Sequence, residues 1–464
     1  MRIVDILTGP VAPFFEQSSQ NGQALVAELR WAGHDVVLIP VLFPLINGSG
    51  SSADFETDQV PLFGGAAHIY ASHCIPFLAD NLPKWLWSNV CDPIFRRHLA
   101  KYILKSPERF GNFILDALNG ENGRLSKEID ALCDWLAEKT PSDIILFSSP
   151  LLLGIAPMIK QRSGIPVTCY MSTELEDLPH IGAARRTAVL AKMRSLIREA
   201  DGFISISHFH ARRIHKNFGA PISYIKTVHP GIELDSVSVR SLPESRIAGF
   251  VVREHSGEEL RNACGVLNTL SPLLKKKDIK PYLIMEADTS AKKVSTSVLN
   301  NALNLFAAAG GEIIRFTGIR SSMRKIFSRA SMLIFIHSEP LPAFDMRILE
   351  AMACGVPVVV PNNGANGEIA ALSNGVLLYD NYKSAALTAA LDIISSDANL
   401  LNMSNEARHS IELYFSMPQT AKRVVEVLES IKNRVSPKLK AVQSKPKRNP
   451  ESKYTTQKNL YKKF

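Results

Sequence analysis

Short apolar runs rich in Val and Ile alternate with longer stretches of helical spacing, and they do so in two successive sets. In the first set, Arg2 to Leu7 reads as a strand. Gln23 to Ala32 reads as a helix, with Leu25, Val26 and Leu29 on one face, and Gly33 ends it before Asp35 to Val41 returns as a β-branched strand. That is a βαβ unit, and it predicts a parallel sheet. Asp143 to Phe147, Pro166 to Met171 and Gly202 to Ser207 continue the strands, with helices over Leu125 to Ala137 and Thr187 to Ala200. The pattern breaks at Pro230-Gly231, which marks a domain border, and a second set follows. Its strands are Gly249 to Arg253, Pro281 to Glu286, Glu312 to Phe316, Ser331 to Ile336 and Val358 to Pro361. Its helices are Gly257 to Leu270 and Val298 to Ala309. The expected fold class is α/β, with two doubly wound domains. Open α/β sheets bind ligands outside the carboxyl ends of their strands, so the expected site is the central cleft between the two domains.

At 464 residues the chain has room for two or three domains. Its net charge of +9 gathers at the end: Lys438 to Lys463 supply many cations against Glu451 alone. The remaining body is close to neutral, so the basic balance is no argument for nucleic-acid binding. The tail from 436 to 464 lacks apolar periodicity, contains Pro437, Pro446 and Pro450, and reads as a disordered extension. It serves either to touch anionic lipid headgroups or simply to solubilise. The six cysteines show no close pairing, which speaks against zinc and disulfides and suits a reducing compartment. With neither a signal peptide nor a spanning run in view, the expectation is a cytoplasmic protein, with peripheral contact at the inner membrane face as an option.

Residues 43 to 118 are less regular. Phe77, Trp85, Trp87, Phe95 and Tyr102 interleave with Lys84, Arg96, Arg97 and Lys101. This stretch is either a helical insertion packed on the first domain or an interfacial patch for a membrane or lipid-linked acceptor.

The stretch richest in chemistry runs from Arg347 to Val359. It reads as a short helix with Asp345 as N-cap, closed by Gly355 and followed by a strand. The amino end of such a helix offers N–H groups and a positive dipole end suited to a pyrophosphate. Glu350 lies among apolar residues, and a buried carboxylate needs a hydrogen-bonding partner, a role that a sugar or ribose hydroxyl would fill. His208, His210 and His215 lack metal-ligand spacing and read as structural or solvated. No phosphate loop or nucleophile elbow occurs.

The segment Glu350-Ala351-Met352-Ala353-Cys354-Gly355-Val356-Pro357-Val358-Val359 closely resembles the donor-site signature of the family 4 retaining glycosyltransferases, which have the GT-B fold. Phe316-Thr317-Gly318, Gly364 to Glu368 and Asn374 to Leu378 resemble its flanking elements. In the first domain, Gly33-His34-Asp35-Val36 resembles a turn of the family and Ala200 to Ser207 one of its strands. Pro61 to Gly65 and Leu118 to Gly123 resemble loops of a less-studied branch of that family. The resemblance implies a GT-B architecture of two Rossmann-like domains. The first spans 1 to 230 and carries the insertion; the second, nucleotide-sugar-binding domain spans 231 to 412. A helix over 413 to 435 crosses back onto the first domain.

It implies transfer of a sugar, with retention and without a metal or other cofactor, from a nucleoside diphosphate sugar to a glycan or lipid-linked acceptor. Arg253 would neutralise the departing diphosphate and Glu350 would hold ribose or sugar hydroxyls. Gly318, Cys354 and Gly355 would line the donor site. Glu339 would contact the donor sugar unless it is only a solvated loop residue. Glu174 would face the reacting carbon unless it is a solvated carboxylate.

The match has gaps. The family's first glutamate is replaced by Pro342, its diphosphate lysine by Glu258, its glycine pair by Ser18-Ser19, and its frequent histidine falls near Ser172. A carboxylate at the lysine position repels a pyrophosphate. Losing a group that stabilises transition-state charge commonly costs roughly a hundred-fold in rate. A catalytically inactive GT-B protein that binds nucleotide or glycan, or supports a partner transferase, is therefore the alternative. A sugar-nucleotide epimerase on the same fold is a third, weaker one.

Overall fold

The computed structural model of the protein describes residues 1–8, 16–41, 106–123, 126–139, 142–171, 181–235, 237–287, 294–316, 320–381 and 385–443. Two six-stranded sheets form two lobes. The first contains β1 (Arg2–Leu7), β2 (Asp35–Pro40), β3 (Ile144–Phe147), β4 (Val167–Met171), β5 (Gly202–Ser205) and β6 (Ile225–Thr227), in the order β2-β1-β3-β4-β5-β6. The second contains β7 (Ile247–Arg253), β8 (Lys280–Glu286), β9 (Ile313–Phe316), β10 (Met332–Phe335), β11 (Val358–Pro361) and β12 (Val376–Tyr379), in the order β12-β11-β10-β7-β8-β9. All pairings are parallel; Ile3, for example, stands opposite both Val36 and Ile144. The chain has the GT-B fold, two Rossmann-like α/β units.

Parallel strands buried on both faces explain the apolar runs. In the first lobe Val4, Ile6, Ile145 and Phe147 pack on one face with Phe113, Ile114 and Leu132. Their neighbours Ile3, Leu7, Ile144 and Leu146 face Leu25, Val26 and Leu29 on the other. In the second lobe Phe250, Ile334 and Val359 face Leu260, Leu267 and Phe306, while Val251, Leu333 and Val358 face Ile348 and Met352.

The chain passes between the lobes twice at one place. Ile232 pairs with Ser416; its N–H donates to Phe415 O at 2.8 Å, and its carbonyl accepts from Met417 N at 3.0 Å. Thr420 Oγ1 donates to His229 O at 3.0 Å. The last helix, Met417–Gln443, then lies along the first lobe, where Met417, Ala421, Val424, Leu428 and Ile431 are buried against Ile3, Leu7 and Leu25. Gly202 on β5 has no side chain to obstruct Ile431, and Lys432 pairs with Asp143 at 2.7 Å.

Some elements differ from the sequence reading. The first helix begins at Glu16, not Gln23, because its first turns carry no apolar stripe to announce them. The Gly257–Lys276 helix continues through Pro272, where Leu270 had been the expected end. The bond that proline removes belongs to the carbonyl of Asn268, an exposed residue whose carbonyl water can serve. The last helix runs to Gln443, past the expected Val435. The aromatic-rich stretch within 43–118, the Pro61–Gly65 loop and the end of the basic tail lie outside the described residues, which include only Ser106 onward of the insertion.

Candidate active site

In the second lobe the strand order reverses between β7 and β10, and ligands of doubly wound sheets sit outside such a switch point. Arg253 ends β7 there. The segment after β10, His337 to Asp345, leads into the Met346–Ala353 helix that carries Glu350.

Asp345 caps this helix as its sequence position predicts, its Oδ1 accepting from Arg347 N at 3.0 Å. The amino end does not offer that N–H to a ligand, because the Asp345 carboxylate already occupies it. The same carboxylate takes Arg347 Nη2 at 2.7 Å and His337 Nε2 at 2.9 Å, while Arg347 Nη1 reaches Glu286 at the end of β8, also at 2.7 Å. Burial would raise the Asp345 carboxyl, but the Arg347 guanidinium and His337 outweigh it and hold the group well below the usual carboxylate range. Asn366 Nδ2 donates to Pro361 O at 2.9 Å and approaches His337 Nδ1 at 3.2 Å. The ring proton of His337 therefore sits on Nε2, directed at Asp345.

The Glu350 side chain is 1% exposed. The partner its burial requires includes Arg324 of the Arg320–Phe327 helix, whose Nε meets Oε2 at 2.6 Å. At the other end of the Glu350 helix, Gly355 adopts φ +73°. Gly355 N bonds Met352 O, and Val356 N bonds Ala351 O, so the helix closes in a left-handed turn that favours glycine. Arg240 reaches Gly355 O and Arg408 reaches Ala353 O, two cations at the negative end of the helix dipole. Cys354 is buried, and burial pushes its thiol up, so it contributes packing and no thiolate.

Arg253 is not free-standing. Its Nε and Nη2 lie 2.8 and 2.6 Å from Glu259 Oε1, its backbone N–H donates to Glu259 Oε2, and Nη2 also reaches Ser338 O. Glu259 is fully buried, whereas Glu258, at the position of the family lysine, is exposed. Glu339 is exposed, and its Oε2 accepts from Leu341 N at 3.2 Å. Glu174 and Gly318 lie outside the described residues, as do Ser172 and Thr173.

The amino end of the Glu350 helix adjoins the first lobe. Ser207 Oγ donates to Ala343 O at 2.7 Å, and Arg213 Nη1 donates to Leu341 O at 2.9 Å. His210 is buried, and burial first, then Arg213, lowers its pKa to about 3. His215 Nδ1 lies 2.8 Å from Ala220 O, a structural partner. Among the described residues no group of three His, Cys, Asp or Glu is placed to hold a metal ion, and no helix is long and apolar enough to cross a membrane.

Spacing in the sequence pointed to Glu350, Asp345 and Gly355. It missed Arg324, Glu259, His337, Arg347 and Arg240, which join the site through tertiary approach. The opposite charges of Arg253 and Glu259, six residues apart across the strand–helix turn, were the one readable signal.

These elements define a GT-B protein whose second lobe carries a charge-paired site at its sheet's switch point. Residues 237–397 match the family "Glycosyl transferases group 1". The Bacillus subtilis protein YtcC, which bears a glycosyltransferase name, is 36% identical over 96 residues; the match covers 20% of this chain and 23% of YtcC, so it spans about a quarter of that relative. Anabaena HepE, solved with UDP and glucose, superposes with a TM-score of 0.54 at 12% identity, over 92% of this chain and 99% of that one. Sucrose-phosphate synthase from Thermosynechococcus elongatus gives 0.56 at 13% identity, over 93% and 98%.

Proposed function

We propose that the protein transfers a glycosyl unit from a nucleoside diphosphate sugar to a glycan or lipid-linked acceptor, with retention at the anomeric carbon and without a metal cofactor. The observation that carries this reading is the Glu350 helix. It lies within the segment that matches the group 1 family, holds a buried carboxylate, and presents its amino end to the other lobe. The departing diphosphate would be neutralised by Arg253, which ends β7 beside the Ser338 carbonyl. Glu350, oriented by Arg324, would receive donor hydroxyls, and Glu339 and Glu174 would act on the donor sugar and the reacting carbon. UDP and GDP are the first donors to try. HepE was solved with UDP, which supports the choice by analogy alone. Isothermal titration of wild type, Arg253→Ala and Glu350→Ala with both nucleotides tests the assignment. Unchanged affinity in both variants removes it.

A second reading is favoured by a specific observation. Arg253 is matched by Glu259, and Arg347 by Asp345 and Glu286. A site so compensated suits a GT-B protein that binds nucleotide or glycan without turnover. Tight nucleotide binding with no transfer or hydrolysis on any donor would decide for it. Contact of the basic tail with anionic lipid belongs to the first reading. Co-sedimentation with phosphatidylserine vesicles, with and without residues 436–464, tests it, and equal binding sinks it.

A further inference from the structure

Glu368 stands outside the donor assignment, yet it makes three polar contacts across the boundary between the lobes. It belongs to the short Asn366–Ala370 helix of the second lobe. Its Oε2 accepts from His208 N and its Oε1 from Phe209 N, both at 2.8 Å, and His229 Nε2 lies 2.9 Å from Oε2. His208 and Phe209 open the His208–Phe218 helix of the first lobe, and the third N–H of that helix, on His210, is taken by Ser207 Oγ at 2.9 Å. The first turn of a helix leaves N–H groups without intrahelical partners. Here two of them are satisfied by a carboxylate of the opposite lobe, at the end of the dipole that favours negative charge.

The same short helix also reaches the other way. Asn366, two residues before Glu368, holds His337, and His337 holds the Asp345 cap of the Glu350 helix. The short Asn366–Ala370 helix therefore carries both links: Asn366 connects it through His337 to the cap of the Glu350 helix, and Glu368 connects it to the first-lobe helix. His229 lies on the segment by which the chain passes between lobes, its ring between Phe344 and Phe415 at centroid distances of 5.8 and 5.6 Å. The side chains of Glu368 and His229 are only 17% and 12% exposed, so water competes poorly for these bonds.

We propose that Glu368 is a positioning residue that sets the face of the first lobe against the Glu350 helix by capping the His208–Phe218 helix from across the boundary. Its bearing on transfer rests on the reading that the interlobe face is where donor and acceptor meet; the clasp itself does not. Residue-resolved hydrogen exchange on the full chain measures it directly. In Glu368→Ala the amides of His208 and Phe209 exchange about tenfold faster, as for the loss of one charge-assisted bond each, while the His210 amide and the β7 and β10 amides hold. Glu368→Gln restores protection at one of the two amides, since its single oxygen accepts. Spin labels carried by unnatural amino acids at Lys216 and Ala398, one per lobe, report a broader interlobe distance distribution in Glu368→Ala than in wild type. Unchanged exchange at His208 and Phe209 overturns the proposal. So does faster exchange spread evenly over β11 and β12, which marks a general loosening of the second lobe. Neither measurement uses a nucleotide, so failure of the Arg253 and Glu350 titrations would sink the donor site and leave this result standing.

Discussion

Replacing Arg253 by alanine tests how the end of β7 is held. Glu259 is fully buried and takes the Arg253 guanidinium through Nε and Nη2 at 2.8 and 2.6 Å, while the Arg253 side chain is 22% exposed. Removing one partner of a buried ion pair costs about 3–5 kcal/mol, because the other charge is left uncompensated. Glu259 keeps one donor in the alanine variant, the backbone N–H of residue 253 at 2.7 Å, so the loss is about 3 kcal/mol. At about 2–4 °C per kcal/mol for a domain of 150–250 residues, the second-lobe melting transition drops by about 6–12 °C. The double variant Arg253→Ala/Glu259→Gln removes the stranded charge and keeps an acceptor for that N–H, so it recovers about half of the loss. Glu259→Gln alone leaves a guanidinium that reaches water and has no carboxylate to compete with a phosphate. UDP should bind it about tenfold more tightly than wild type. Calorimetric melts of the four proteins form the double-mutant cycle. A double variant as unstable as the sum of the two singles would refute the reasoning, since it would mean the two side chains do not act as a pair.

Three further outcomes follow from other parts of the molecule. Burial raises the Asp5 carboxyl from 3.8 to about 7, against the opposing Ser148 hydrogen bond, so the folded state holds this proton more tightly than the unfolded chain. The stability tied to that proton is complete below pH 3.8 and lost as pH rises toward 7. Wild type therefore loses roughly 3 kcal/mol relative to Asp5→Asn between pH 4 and pH 7, and a flat difference in urea denaturation across that window would contradict it. Gly355→Ala should lower stability by about 1 kcal/mol or more, because φ is +73° and the new Cβ meets Val239 Cγ1 at 3.1 Å; an unchanged melting curve counts against that. Ending the chain at Ser416 should uncover Ile3, Leu7, Leu25 and Val26 and produce a protein that binds hydrophobic dyes and aggregates, whereas a monomer with the parent's melting temperature would show the last helix to be dispensable.

The central strands were readable because they are buried on both faces and so largely apolar: Ile144–Phe147 and Val358–Pro361 are fully buried, and the residues announce it. What escaped was structure whose cause is not local. Ile225–Thr227 is a three-residue edge strand with Lys226 exposed, too short and too polar to stand out. The first turns of the Glu16–Trp31 helix carry no apolar stripe. In the candidate site, the Asp345 cap and the Gly355 turn are properties of consecutive residues and were legible. The partners are not consecutive. Arg324 lies 26 residues from Glu350 and Glu368 lies 160 from His208, and only the folded sheets bring them together. Burial of Glu350 was foreseen from its apolar neighbours; that an arginine, and not only a ligand, answers that burial was not.

The pairing of Ile232 with Ser416 makes the whole second lobe an insertion into the first, entered and left through adjacent residues. A graft needs only two splice points there, side by side and already bridged by backbone hydrogen bonds. Exchanging everything between them for the corresponding lobe of a relative would keep the host's other half and its last helix on their own chain, with the graft left to resupply the partners of Ser207, Arg213 and the His208 and Phe209 amides.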